Sequence, residues 1–157
     1  MCSNYLKDGK LDASIIDKVL NDLKVKINFI TDGDIAGALS VIGDKPKNDI
    51  YYSTGGGPEG VLAASALDAF GCSFQGRFLF ETDEDKLRAK KMGINDLTKK
   101  YELNEIVKGD SIFCATGITS GDLVSGIEIQ GNEFISETLV THKSSGLKKV
   151  IKLKQNL

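Results

Sequence analysis

Apolar residues recur at helical spacing along "LDASIIDKVLNDLK", where Leu11, Ile15, Ile16, Val19, Leu20 and Leu23 share one stripe and Asp12 stands as a cap. "VKINFIT" then reads as a short buried strand ending at Thr31, and "DGDIAGALSVIG" as a loop feeding a helix-like run closed by Gly43. After the turn "KPKND" come a second strand, "IYYSTG", a glycine loop, and the small-residue helix "EGVLAASALDAFG". "SFQGRFLFE" is a third strand. "TDEDKLRAKKMG" is a charged helix with acids first and bases last, as the helix dipole prefers. "ELNEIVKG" makes a short helix ahead of the strand "DSIFCATG". The remainder alternates apolar and polar residues, with turns at Gly131-Asn132 and at Ser144-Ser145-Gly146, which predicts β-hairpins.

Strands alternating with helices up to about residue 116 predict an α/β fold: a mostly parallel sheet flanked by helices, with a β-rich C-terminal part. The 157 residues contain no internal repeat and no low-complexity linker, so a single α/β domain over residues 1–157 is the simplest expectation.

Composition narrows the function classes. A net charge of −2 argues against a nucleic-acid partner or an acidic membrane surface. No apolar run reaches the roughly 20 residues of a spanning helix, and the polar start "MCSNYLKDGKLD" lacks a signal-peptide core, so no membrane association and a cytoplasmic location are expected. Cys2, Cys72 and Cys114 are odd in number and widely spaced, which fits reduced thiols better than disulfides or a zinc site. One histidine and no tryptophan leave little material for His-based metal centres or aromatic nucleic-acid platforms.

Three loops follow predicted strands: "TDGDIAG", "STGGGPEG" and "ATGITSGD". With parallel strands they would gather at one edge of the sheet, where ligands of open α/β proteins collect. In the first, Asp32 and Asp34 flank Gly33, a pair that can bind sugar hydroxyls, hold a divalent cation, or cap the next helix. In the second, consecutive glycines before a helix bare their N–H groups to an anion, and Pro58 suits an early helical position. Glu59 in the first turn has a structural use against the helix dipole. Beside a phosphate it would repel the ligand unless Mg2+ or Mn2+ lay between them. The loop has no Gly-Lys-Ser/Thr and is no Walker loop. The third loop offers Thr116, Thr119, Ser120 and Asp122, and a turn explains it equally well. His142 reads as a packed or surface strand residue, Arg77 as a surface charge, and the lysines from Lys143 to Lys154 as a solvated strand face.

Taken in order, "DGDIAGAL", "GGGPEGVLAASAL", "QGRF", "LNEIVKGDSIFCATGITSGDLV" and "ETLVTHKSSG" resemble the C-terminal half of class II (GlpX-type) fructose-1,6-bisphosphatases, some of which also act on sedoheptulose 1,7-bisphosphate. The resemblance runs from about Ile27 to about Val150, and the step of 27 positions from Asp32 to Glu59 agrees with it. It implies the C-terminal half of the carbohydrate-phosphatase fold. It also implies a Mn2+- or Mg2+-dependent enzyme of gluconeogenesis and central carbon metabolism that hydrolyses the 1-phosphate of the sugar bisphosphate. Substrate contacts carry over onto Asp32, Gly33, Asp34 and Gly56, and a metal-ligand role onto Glu59.

The departures are equally specific. The family's first half, with most of its metal carboxylates and an Asp-Gly-Thr element, is not matched here. Its Arg-Pro-Arg segment is replaced by "YLKDGKLDASI", and Ser120 stands where the family usually has aspartate. No catalytic residue is therefore assignable in this half. The expected partners are a sugar bisphosphate, an N-terminal half on a separate chain, and further copies of this chain, since a half-fold leaves apolar surface uncovered. The alternative is a non-catalytic sugar-phosphate-binding or regulatory module.

Overall fold

The computed structural model describes residues 6–7, 10–11, 18, 21–30, 33–43 and 45–156. In chain order its elements are β1 (Leu6–Lys7), β2 (Lys10–Leu11), α1 (Asp34–Ala38) running into a 3-10 turn (Leu39–Val41), α2 (Gly57–Ala69), β3 (Gln75–Gly76), α3 (Asp83–Lys91), β4 (Tyr101–Glu102), α4 (Leu103–Ile106), β5 (Ile112–Thr116), β6 (Glu128–Gln130), β7 (Glu133–His142) and β8 (Leu147–Asn156). Backbone contacts divide the chain into two units, Met1–Thr31 with Arg77–Lys100, and Asp32–Gly76 with Tyr101–Leu157.

In the first unit β1 and β2 form a two-residue antiparallel pair. The helix expected over residues 11–24 lies largely outside the described residues, of which Lys18, Asn21 and Asp22 are helical. The best-defined element is α3. Thr82 Oγ1 accepts from the Asp85 N–H at 3.1 Å and the Asp85 carboxylate accepts from the Thr82 N–H, a reciprocal capping box. At the other end Gly93, at φ 88°, allows the Ile94 and Gly93 N–H groups to return to the Ala89 and Lys90 carbonyls.

The second unit holds the sheet and the core. Its sheet is built around β7. β5 and β6 pair with successive stretches of one edge of β7, and β8 pairs with the whole of the other edge, Glu133 opposite Asn156 through His142 opposite Leu147. Both expected hairpins form, with Gly131 at φ 65° and Gly146 at φ 67° in their turns. Phe113 on β5 and Leu139 on β7 point to one face and join Ala38, Leu39, Ala63, Ala66 and Leu67 in the core. Alanines rather than larger side chains let α2 approach closely, and its end is closed by Gly71 at φ 69°. The Gly71 N–H donates to Asp68 and the Cys72 N–H to Leu67.

Among the described residues every strand pair is antiparallel, so the expectation of a mostly parallel sheet is corrected. Residues 25–30 and 50–55 contain no strand, and within "SFQGRFLFE" only Gln75–Gly76 pairs, with Tyr101–Glu102. An apolar run of five or six residues does not by itself specify a ladder partner. β5 does form as expected, but its neighbour is β7, reached by pairing with the hairpin rather than by a helical crossover.

The segment after β5 folds into a tight loop. The Gly126 N–H donates to Ser120 Oγ at 3.0 Å, the Ile127 N–H to the Ile118 carbonyl, and the Ser125 N–H to the Glu137 carboxylate at 2.9 Å. A Cβ on Gly126 would lie 2.5 Å from the Ser120 nitrogen, and one on Gly117 would collide with the Ser125 carbonyl oxygen. Both obstacles are backbone and cannot rotate away. Gly126→Ala is expected to cost about 1–3 kcal/mol in denaturant titration, while Gly109→Ala, in open space, stays within about 0.5 kcal/mol.

Candidate functional site

The site is assembled where α1 meets α2 in the second unit. Gly33, at φ 88°, turns the chain into α1 through a conformation that costs a residue with a Cβ, and the Gly37 N–H closes the first turn on its carbonyl at 2.7 Å. That turn delivers Asp34 to the start of α1, which packs on α2. The Asp34 carboxylate comes to rest against the glycine loop: a Cβ on Gly55 would sit 2.5 Å from Asp34 Oδ2. Glu59, in the first turn of α2, folds back over Gly56, where a Cβ would collide with Glu59 Oε2. Consecutive glycines are therefore occupied by two different carboxylates. Here the two loops "DGDIAG" and "STGGGPEG" do converge, although the sheet edge expected to gather them is not formed.

Both carboxylates are exposed, and among the described residues neither makes a hydrogen bond or ion pair. The free N-terminal amides of the 13-residue α2 favour negative charge at this end of the helix. Pro58 removes one of those amides at N1/N2. Hard oxygens in this arrangement suit a divalent cation such as Mn2+ or Mg2+. They make an incomplete set: among the described residues no three His, Cys, Asp or Glu side chains come together as metal ligands. Asp32 lies outside the described residues.

The third loop, "ATGITSGD", is held by other means. Asp122 pairs with Lys47 at 2.9 Å, and Ser120 is used internally, accepting from Gly126. A serine hydroxyl thus performs a loop-holding task that an aspartate at that position could also perform through its carboxylate.

At the opposite end of α2 lies a cluster that spacing alone did not signal. Lys143 Nζ reaches the nearly buried Asp68 at 2.6 Å, and His142 is held from both sides, Nε2 to Asp110 at 2.7 Å and Nδ1 to Ser145 Oγ at 2.8 Å. Ser144 Oγ donates to the second Asp110 oxygen at 2.6 Å. These contacts tie the β7–β8 turn to the entry of β5 and border an open cavity of about 730 Å3. His142 stands half-buried in an alternating strand, with both ring nitrogens engaged. Nothing short of the register between β5 and β7 could have paired it with Asp110 across 32 positions.

A profile of the family described as bacterial fructose-1,6-bisphosphatase, glpX-encoded, matches residues 7–155. The chain is 33% identical over 151 residues to a D-fructose 1,6-bisphosphatase class 2/sedoheptulose 1,7-bisphosphatase of Synechococcus sp. (strain JA-3-3Ab), covering 88% of this chain and 43% of the relative. It is 35% identical over 147 residues to a fructose-1,6-bisphosphatase class 2 of Haemophilus influenzae, covering 85% and 44%, and 34% identical over 149 residues to a fructose-1,6-bisphosphatase 2 class 2 of Escherichia coli, covering 86% and 46%. The matched parts are the C-terminal portions of these proteins. The chain belongs to the glpX-encoded fructose-1,6-bisphosphatase family, and it spans about half the length of the curated relatives it matches.

Two expectations follow from the geometry. Gly55→Ala and Gly56→Ala meet only the ends of flexible acidic side chains, so each leaves global stability within about 1 kcal/mol while displacing a carboxylate. Gly33→Ala, at positive φ, costs about 1 kcal/mol or more in the same denaturant titration. The Asp110 carboxyl is held below its usual value first by the Ser144 hydroxyl and then by His142. A lowered folded-state value means that its contribution is complete above the ordinary carboxylate value and fades as pH falls through the lowered one. Asp110→Asn should therefore be less stable than the parent at neutral pH, with the gap closing below about pH 4, as read from thermal melts across pH.

Proposed function

We propose that this chain supplies sugar-bisphosphate and metal contacts for a class 2 fructose-bisphosphatase reaction, hydrolysis of the 1-phosphate of fructose 1,6-bisphosphate or of sedoheptulose 1,7-bisphosphate. The observation that carries the reading is the placement of unpartnered Asp34 and Glu59 carboxylates against the bare Gly55-Gly56 backbone, in a chain of this family. Glu59 is the proposed ligand of Mn2+ or Mg2+. Asp32, Gly33, Asp34 and Gly56 are the proposed substrate contacts, carboxylates for sugar hydroxyls and bare main chain for the ester. A bound divalent ion would neutralise charge on the phosphoryl oxygens and lower the pKa of an attacking water. Glu59 would present its carboxylate at the mouth of α2, over the Gly56 backbone.

Because two carboxylates do not complete a metal site, turnover on this reading needs ligands from a polypeptide corresponding to the relatives' N-terminal portion, and the chain alone is inactive. A second reading, a sugar-phosphate-binding module without turnover, is favoured by the absence of a three-ligand cluster among the described residues. The test is metal-dependent phosphate release from fructose 1,6-bisphosphate, by the chain alone and co-expressed with the N-terminal portion of a class 2 relative. Release only in the co-expressed complex supports the first reading, and sugar-bisphosphate binding without release from either sample supports the second. In calorimetry with Mn2+, Glu59→Gln should lose on the order of tenfold in affinity, about 1.4 kcal/mol, while Glu84→Gln on α3 should change nothing.

A further inference from the structure

Beside the β7–β8 turn, Asp110, His142 and Ser145 form one hydrogen-bonded chain. The imidazole lies in the middle, with Nε2 at 2.7 Å from Asp110 Oδ2 and Nδ1 at 2.8 Å from Ser145 Oγ. The Ser144 hydroxyl donates to the other Asp110 oxygen at 2.6 Å, so the carboxylate is fixed at both ends. An ionised carboxylate only accepts. In the neutral imidazole Nε2 therefore carries the hydrogen, and Nδ1 presents its lone pair to the Ser145 hydroxyl. The order acid, imidazole, hydroxyl is that of the serine-hydrolase triad with the two ring nitrogens exchanged. Ser145 is exposed, whereas the His142 side chain is only 23% exposed. The hydroxyl is thus open to a solute, and the base behind it is partly withdrawn from water.

Holding the turn does not account for the Ser145 contact. The turn is already closed by the Gly146 N–H on the Lys143 carbonyl at 3.0 Å, and Lys143 Nζ ties its start to Asp68. His142 is the last residue of β7, opposite Ile112 on β5 and Leu147 on β8, so the imidazole stands on paired strand and not on a loop. We propose that Ser145 is a nucleophile activated by His142 and Asp110, and that it acts on carboxylic esters, a reaction separate from sugar-bisphosphate hydrolysis and independent of that reading. Ser145 Oγ bonds to the carbonyl carbon as its proton passes to His142 Nδ1. The ester C–O bond breaks and the alcohol leaves with that proton. Water, deprotonated by Nδ1, then releases the acid and restores the hydroxyl. Asp110 stays ionised throughout as a positioning residue that fixes the imidazole tautomer. The open cavity of about 730 Å3 beside Asp110, Lys143 and Ser144 lies within the same unit, and its Phe74, Leu103 and Val107 walls suit an ester with an apolar group. The Gly146 amide is engaged in the turn and does not serve the oxyanion, so the reaction is slow and shows itself as one acylation per chain.

The experiment treats the full chain with a fluorophosphonate, which loses fluoride as its phosphorus bonds to an activated serine oxygen, and locates the adduct by peptide mass mapping. The expected result is an adduct on Ser145 and not on Ser144, which fails to form in concentrated urea. His142→Gln is expected to slow it about 100-fold and Asp110→Asn at least about tenfold, with thermal melts showing that each variant is folded. With 4-nitrophenyl acetate the parent should release a burst of about one nitrophenol per chain, which Ser145→Ala loses. A turn-holding role alone would leave Ser145 unlabelled. No adduct at Ser145, an adduct that forms equally well in urea, or a labelling rate unchanged in folded His142→Gln overturns the proposal. Where His142→Gln does not fold, the urea comparison and the burst of Ser145→Ala decide it.

Discussion

Two acidic side chains lie directly against a stretch of main chain that has no side chains to keep them away. Asp34 occupies the space beside Gly55, and Glu59 the space beside Gly56. The rest of the second unit is organised around that constraint. α1 can bring Asp34 in only because Gly33 adopts a left-handed turn, and α2 can present Glu59 only because its alanine face seats it firmly on the sheet. The carboxylate charges are tolerated at the surface, where water screens them, and near the positive end of a helix.

Local sequence revealed most of the elements and little of their pairing. The acids-first order of "TDEDKLRAKK" announced α3, and the turn residues at Gly131 and Ser144–Gly146 announced the β6–β7–β8 hairpins. Those signals are local, because caps and tight turns are determined by a few adjacent residues. Parallel pairing was misread because "VKINFIT" and "IYYSTG" have the composition of strands, while composition says nothing about which edge is available to receive them. The same limit applied to His142 and Lys143. Their partners, Asp110 and Asp68, lie 32 and 75 positions away, and only the completed sheet brings them within reach.

Of the site, what was legible is the meeting of two loops: "DGDIAG" and "STGGGPEG" were expected to converge, and the Asp34 carboxylate does lie beside Gly55. Successive glycines ending in a proline and a glutamate are a poor design for a simple turn. Legibility failed for the reason the glycines are needed. On sequence the bare backbone invited an incoming ester; in the structure the space beside each glycine is already taken by a side chain of the protein itself. The two accounts are compatible if ligand, cation and carboxylates share one small volume, which is the arrangement the proposed function requires.

The outermost strand of the sheet carries one more implication. β8 is ten residues long and, among the described residues, pairs as a strand along one side only, so a row of main-chain donors and acceptors faces away from the sheet. Lys148, Lys149, Lys152 and Lys154 are spaced along it, and like charges at that density discourage self-templated stacking of the kind that nucleates amyloid. Acylation of these amines would strip away that deterrent without disturbing the buried core, leaving a folded molecule with a sticky hem.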